Sequence, residues 1–308
     1  MILPDLAAIL VLSDASFTEM HERQRRTAVR RLWVTALVLC PVIAGGPEAQ
    51  AQATESAQTM DSPSDDDVQA SRRRRRASVP AEVSTNRVLQ VEFGYNGDFW
   101  SDTLDAAQAA TLSLNYSATP DILIEFSHDN LAVQSPRGGS TTGGVGNAYL
   151  GVQYTVSNED ERRPSLGLSY QLTVPTGSRS AGISTGGYWH RATLLLSKDV
   201  GEVTYDANAS ALLNDLGAGA AVLGGVQGVL SASRVVRGRA GVQLEIEGQS
   251  RDADEPRGVF VSSALTYQAS PTWQWDIGFR MGLTSSAPRA GAFVGVTRAV
   301  NVGRRPRP

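Results

Sequence analysis

The chain has 308 residues, a formal net charge of −3 and 41% hydrophobic residues. That near-neutral balance excludes a broad electrostatic pull toward nucleic acid or an anionic surface. The one cysteine, Cys40, excludes an intramolecular disulfide. Beyond the N-terminal region no apolar run is long enough for a membrane-spanning helix.

The first predicted element is an address. "HERQRRTAVRR" is basic, "LWVTALVLCPVIA" is apolar, and "GGPEAQAQA" brings small residues at alternate positions. This order is that of a secretory signal peptide, with cleavage expected after Ala51 or Ala53. Residues 1–53 are therefore assigned to an N-terminal extension and signal. Residues 54–86 follow, with an acidic run at Asp65–Asp67, a basic run at Arg72–Arg76 and almost no large apolar residues. Such a stretch buries too little to offset the entropy of ordering, and it reads as a disordered periplasmic tether.

From Arg87 a period of two takes over. In "VLQVEFGY" Leu89, Val91, Phe93 and Tyr95 share one face, while Gln90 and Glu92 share the other. Side chains on a strand alternate between faces, so each such segment has an oily side and a wet side. The pattern recurs in "ATLSLNY", "ILIEFSH", "AYLGVQYTV" and "LSYQLTV". "HRATLLLSK" is less regular, since Leu195 falls on the wet side with Arg191 and Thr193. "VTYDANASA", the Gly-rich "VLGGVQGVLSA", "AGVQLEIEG", "VFVSSALTY", "TWQWDIGFRMGL" and "AGAFVGVTR" complete a set of about twelve.

Two architectures produce alternating strands. A soluble sandwich turns the oily faces inward, and a membrane barrel turns them outward. Three features favour the barrel. Segments of roughly ten residues match a tilted strand crossing a bilayer. Short turns such as "SATPD" alternate with long polar loops such as "NLAVQSPRGGSTTGGVGN". Aromatics gather at both ends: Tyr116, Tyr154, Tyr267, Trp273 and Trp275 near short turns, and Tyr95, Trp100, Tyr188 and Trp189 near long loops. The expected fold is a closed antiparallel transmembrane β-barrel over residues 87–302, with a basic tail at 303–308. Its lumen is expected to be lined by Glu92, Glu125, Arg191, Asp206, Glu245, Glu247, Asp276 and Arg280.

Several stretches resemble the outer-membrane family linked to the MetA pathway of phenol degradation. They are "GVGNAYLGVQY", "LSYQLTVPTG", "LLLSKDVG" and the hairpin "WDIGFRMGLTSSAPRAGAFVGVT". The resemblance spans about Arg87 to Val302. It implies a barrel that passes small, in part aromatic, compounds.

Catalytic chemistry finds little footing. An outer-membrane lipid hydrolase needs Ser, His and an orienting Asn or Asp together. Ser127, His128 and Asp129 are sequence neighbours, and strand neighbours point to opposite faces. Two histidines outside the signal, with no cysteine, are too few for a transition-metal site. No catalytic, cofactor or metal residue is assigned. The expected partners are outer-membrane lipid, small solutes and the barrel assembly machinery, with no nucleic acid. The alternative reading is a structural or adhesive barrel with a plugged lumen.

Overall fold

The structure, a computed structural model, describes residues 78–83, 86–101, 103–184, 186–215, 221–250 and 258–302. The signal segment, most of the tether and the basic tail lie outside the described residues. The described chain forms thirteen strands. They are β1 (Val88–Phe99), β2 (Leu104–Ser117), β3 (Ile122–Pro136), β4 (Thr142–Gly144), β5 (Ala148–Ser157), β6 (Ser165–Val174), β7 (Trp189–Val200), β8 (Val203–Asp215), β9 (Ala221–Arg237), β10 (Ala240–Gln249), β11 (Gly258–Ser270), β12 (Trp273–Gly282) and β13 (Ala290–Asn301).

Each long strand pairs antiparallel with its chain neighbours, and β1 pairs with both β2 and β13. The sheet therefore closes. Closure removes every edge, which a strand surrounded by lipid requires. The three-residue β4 adds no stave of its own. It pairs with Ala132–Gln134 of β3, in line above β5, which pairs with Ile122–His128. The barrel is thus twelve strands around, as the alternation predicts.

The burial pattern is that of a soluble protein turned inside out. Phe93, Ile124, Phe126, Leu168, Leu265, Ile277 and Phe279 are exposed on the outer surface. Gln90, Glu92, Gln153 and Thr297 are completely buried inside. A sandwich would bury the first set, so the structure decides for the barrel. Leu195 is the exception foreseen from the sequence: it points inward and is fully buried.

Three sequence expectations change. Strands run longer than the roughly ten residues read from alternation, because β2 begins in the Ala-rich "LDAAQAA" and β3 continues to Pro136. Much of the long loop expected after "ILIEFSH" is therefore strand. Trp189 does not join an interfacial girdle. It is 8% exposed and faces inward. Its ring lies over Gly224, where an added Cβ would come within 2.5 Å of Cζ3. Tyr154, Tyr267 and Trp275 at the short-turn end, and Tyr95, Trp100 and Tyr188 at the other, are exposed.

The third change concerns the tether. Residues 78–83 lie inside the barrel, with Ser78 and Ala81 completely buried. The low apolar content that marked them as unable to order is beside the point, because the wall supplies polar partners.

Candidate functional site

The lumen divides into two parts. The upper part is a cavity of about 700 Å³ that reaches the exposed rim residues Trp100 and Thr103. It is roofed in part by the β6–β7 loop, which turns inward. Thr142 Oγ1 donates to Ala181 O at 2.7 Å, and Ile183 is buried against Gly144. The walls mix charge with apolar surface. Glu125, Asp129, Glu245, Glu247 and Asp98 line it together with Arg191 and Arg280, and so do Phe99, Leu195 and Phe293.

Of the eight lumen candidates, Glu125, Arg191, Glu245, Glu247 and Arg280 line this cavity. Glu92, Asp206 and Asp276 also face inward but are buried below it. Glu92 accepts from Asn115 Nδ2 at 2.8 Å. Asp206 accepts from Ser197 Oγ at 2.7 Å and Ser231 Oγ at 3.1 Å.

Arg280 is held from several sides. Its guanidinium donates to both carboxylate oxygens of Asp98, with Nε at 3.2 Å from Oδ1. It lies 3.9 Å from Glu247 Oε2 and 4.6 Å above the Phe260 ring. A two-pronged contact of this kind fixes the guanidinium plane as well as its charge. Asp98 was not foreseen. Carrying the period of "VLQVEFGY" three residues further places it on the Glu92 face. Asp129 was missed for a similar reason, since the expected strand "ILIEFSH" stops one residue short of it. It is 5% exposed, accepting from Thr111 Oγ1 at 2.6 Å and Tyr149 OH at 3.1 Å.

The lower part of the lumen holds residues 78–83, which cross the wall from β5 to β10. Val83 N donates to Thr155 Oγ1 at 3.3 Å. Ala81 N donates to Ser197 Oγ at 2.8 Å, while Ala81 O accepts from Gln153 Nε2 and Thr155 Oγ1, both at 3.1 Å. Asn208 clamps Val79 twice: its Oδ1 accepts from Val79 N at 2.7 Å and its Nδ2 donates to Val79 O at 2.8 Å. Ser78 N donates to Glu245 Oε2 at 3.0 Å, and the hydroxyls of Ser78 and Ser231 are 2.8 Å apart. Each such bond contributes about 0.5–1.5 kcal/mol net, since water would otherwise take its place. The fit is close at Gly167 of β6, where a Cβ would sit 2.7 Å from Ala81 O.

The segment is also tied to the β5–β6 turn, where Glu159 N donates to Glu82 Oε1 at 3.0 Å. A hydrogen bond from Lys198, whose Nζ is 2.8 Å from Oε1, holds the Glu159 carboxyl below its ordinary range; burial opposes it, and the Asp199 amide reinforces it. Asp160 is held low by the amides of Arg162 and Arg163. Both carboxylates are favoured in the folded turn, so their contribution is full above the ordinary carboxylate pKa of about 4. It is lost as pH falls through the lowered values. Amide exchange at Arg162 and Arg163, corrected for intrinsic rate, should therefore speed up at strongly acid pH, and Asp160→Asn should show the faster rate already at pH 7. Equal exchange in both proteins at neutral pH would contradict this.

The serine and histidine near β3 do not assemble. Ser127 Oγ donates inward to Ser113 Oγ at 2.9 Å, while His128 Nδ1 is 3.0 Å from Asn130 Oδ1. Among the described residues no three His, Cys, Asp or Glu side chains could hold a metal ion.

The family model described as "Putative MetA-pathway of phenol degradation" matches residues 72–300, most of the chain. The chain belongs to this family. The MetA-pathway match takes in the lumen segment as well as every strand but the last residue of β13. In structure, this family member is similar to the COG4313 outer membrane channel from Pseudomonas putida F1, at a TM-score of 0.55 and 15% identity. The alignment covers 71% of this chain and 98% of that one. At that identity the likeness speaks for the fold. The KdgM porin aligns at a TM-score of 0.45 and 9% identity, covering 68% and 98%. Outer membrane phospholipase A from Escherichia coli aligns at 0.40 and 10%, covering 70% and 94%. No curated protein matches the sequence.

Proposed function

We propose that this MetA-pathway barrel passes small solutes across the outer membrane, neutral and cationic ones more readily than anions, with aromatic compounds among them. The observation that carries the reading is the upper cavity. It is large enough for a single-ring compound, acidic on balance, and provided with aromatic and aliphatic surface beside its polar groups. Glu92, Glu125, Arg191, Asp206, Glu245, Glu247, Asp276 and Arg280, together with Asp98 and Asp129, are the proposed lining of the path. Export by a cleavable signal and insertion by the barrel assembly machinery complete the proposal.

A second reading is favoured by one observation. Gln90, Glu92, Gln153 and Thr297 are completely buried in the lower lumen, as in a barrel whose bore stays filled and whose loops do the work. Planar-bilayer recording separates the two. Protein that fractionates with outer membrane, and migrates faster unboiled than boiled, should give discrete conductance steps with cation preference. A correctly folded protein that remains silent in every state would favour the filled barrel.

A further inference from the structure

We propose that residues 78–83 are a removable plug. Seated, they close the periplasmic half of the lumen; withdrawn toward the periplasm, they uncover an inner polar surface that solutes cross. The inference rests on the channel reading above.

The way the segment is held supports this role. The chain-to-wall bonds described for Ser78, Val79, Pro80, Ala81 and Val83 all end on wall side chains, whereas the staves are joined by continuous backbone ladders. Gln153, Thr155, Ser197, Asn208 and Ser231 are uncharged groups that water satisfies as well as a peptide does. Exchanging the segment for water leaves the barrel's own pairing intact and strands no buried polar group. The apolar side chains it withdraws, those of Val79, Pro80, Ala81 and Val83, are all small, and the wall they leave is polar at Gln153, Thr155, Ser197 and Asn208.

Position fits as well. Val79 forms part of the upper cavity's floor. Beneath that floor the segment covers Gln153, which is completely buried. Val83 lies beside Thr155 at the short-turn end of β5, and β1 begins at Val88 on the same rim. The exit therefore leads to the periplasmic mouth, and Glu82 on the Glu159 amide is the outermost contact to break.

The hydroxyls of Ser78 and Ser231 are close enough to test this by a reversible lock. In a Cys40→Ser background, Ser78→Cys with Ser231→Cys should form a disulfide that pins the segment. In planar bilayers the full-length protein should open intermittently. Deletion of residues 78–83 should raise the open fraction at least tenfold. The oxidised double-cysteine protein should be silent and recover openings on adding dithiothreitol. Faster migration of unboiled protein serves as the folding control, and the lock tests the plug even if the deletion variant does not assemble. Steady conductance unaffected by either the deletion or the disulfide would overturn the plug and leave the channel standing. Silence of folded, deleted protein and of folded, reduced protein would overturn the channel itself, and the plug with it.

Discussion

Leu168→Arg should cost about 1–3 kcal/mol of stability, the penalty for a cation on the lipid face between interface and midplane. Ser169→Arg, one residue further on, should leave the barrel assembled. Leu168 is 51% exposed on the outer face of β6, opposite Tyr154 and Leu194 of the neighbouring strands. Ser169 lines the inner cavity, where an arginine meets water and acidic side chains. The pair isolates sidedness, because both substitutions add the same group to the same strand. Equilibrium refolding into vesicles of defined lipid gives the difference. If Ser169→Arg prevents folding while Leu168→Arg does not, the inner and outer faces are reversed.

Glu245→Lys combined with Glu247→Lys should turn cation preference into anion preference. The cavity now sets five acidic side chains against two arginines; the double change sets three against four. In a narrow, partly desolvated lumen such a reversal acts on every permeating ion. Glu245 also accepts from Ser78 N, so its loss should loosen the lumen segment and raise the open fraction as well. Glu247 accepts from Gln227 Nε2 at 2.7 Å and faces Arg280; a lysine there repels that arginine. Reversal potential in a salt gradient reads the selectivity. An open channel with unchanged reversal potential would mean that these glutamates lie off the path.

The barrel was legible because lipid outside and polar groups inside impose one period of two on every strand, and no strand needs its neighbours to be recognised. What escaped has the opposite character. Asp98 and Asp129 lie where alternation runs past the apparent strand end into residues typical of loops. β4 is three residues of Thr and Gly, and it exists only because β3 extends beneath it. Residues 78–83 have no period of their own. Their order comes from side chains on β5, β7, β8, β9 and β10, which come together only when the sheet curls. A local reading of "SVPAEV" finds nothing to fold; the binding surface is written in fragments across a hundred residues of wall.

Only five residue steps join Val83 to Val88 on the barrel rim. Fully extended, they reach about 17 Å. A segment that leaves the lumen therefore stays near the mouth, and its return is a unimolecular event. Short tethers of this kind hold an end at an effective concentration on the order of millimolar. Modest hydrogen bonds are then enough to keep the closed state populated. A solute arriving from outside competes with a resident that is never diluted, whatever the volume of the periplasm.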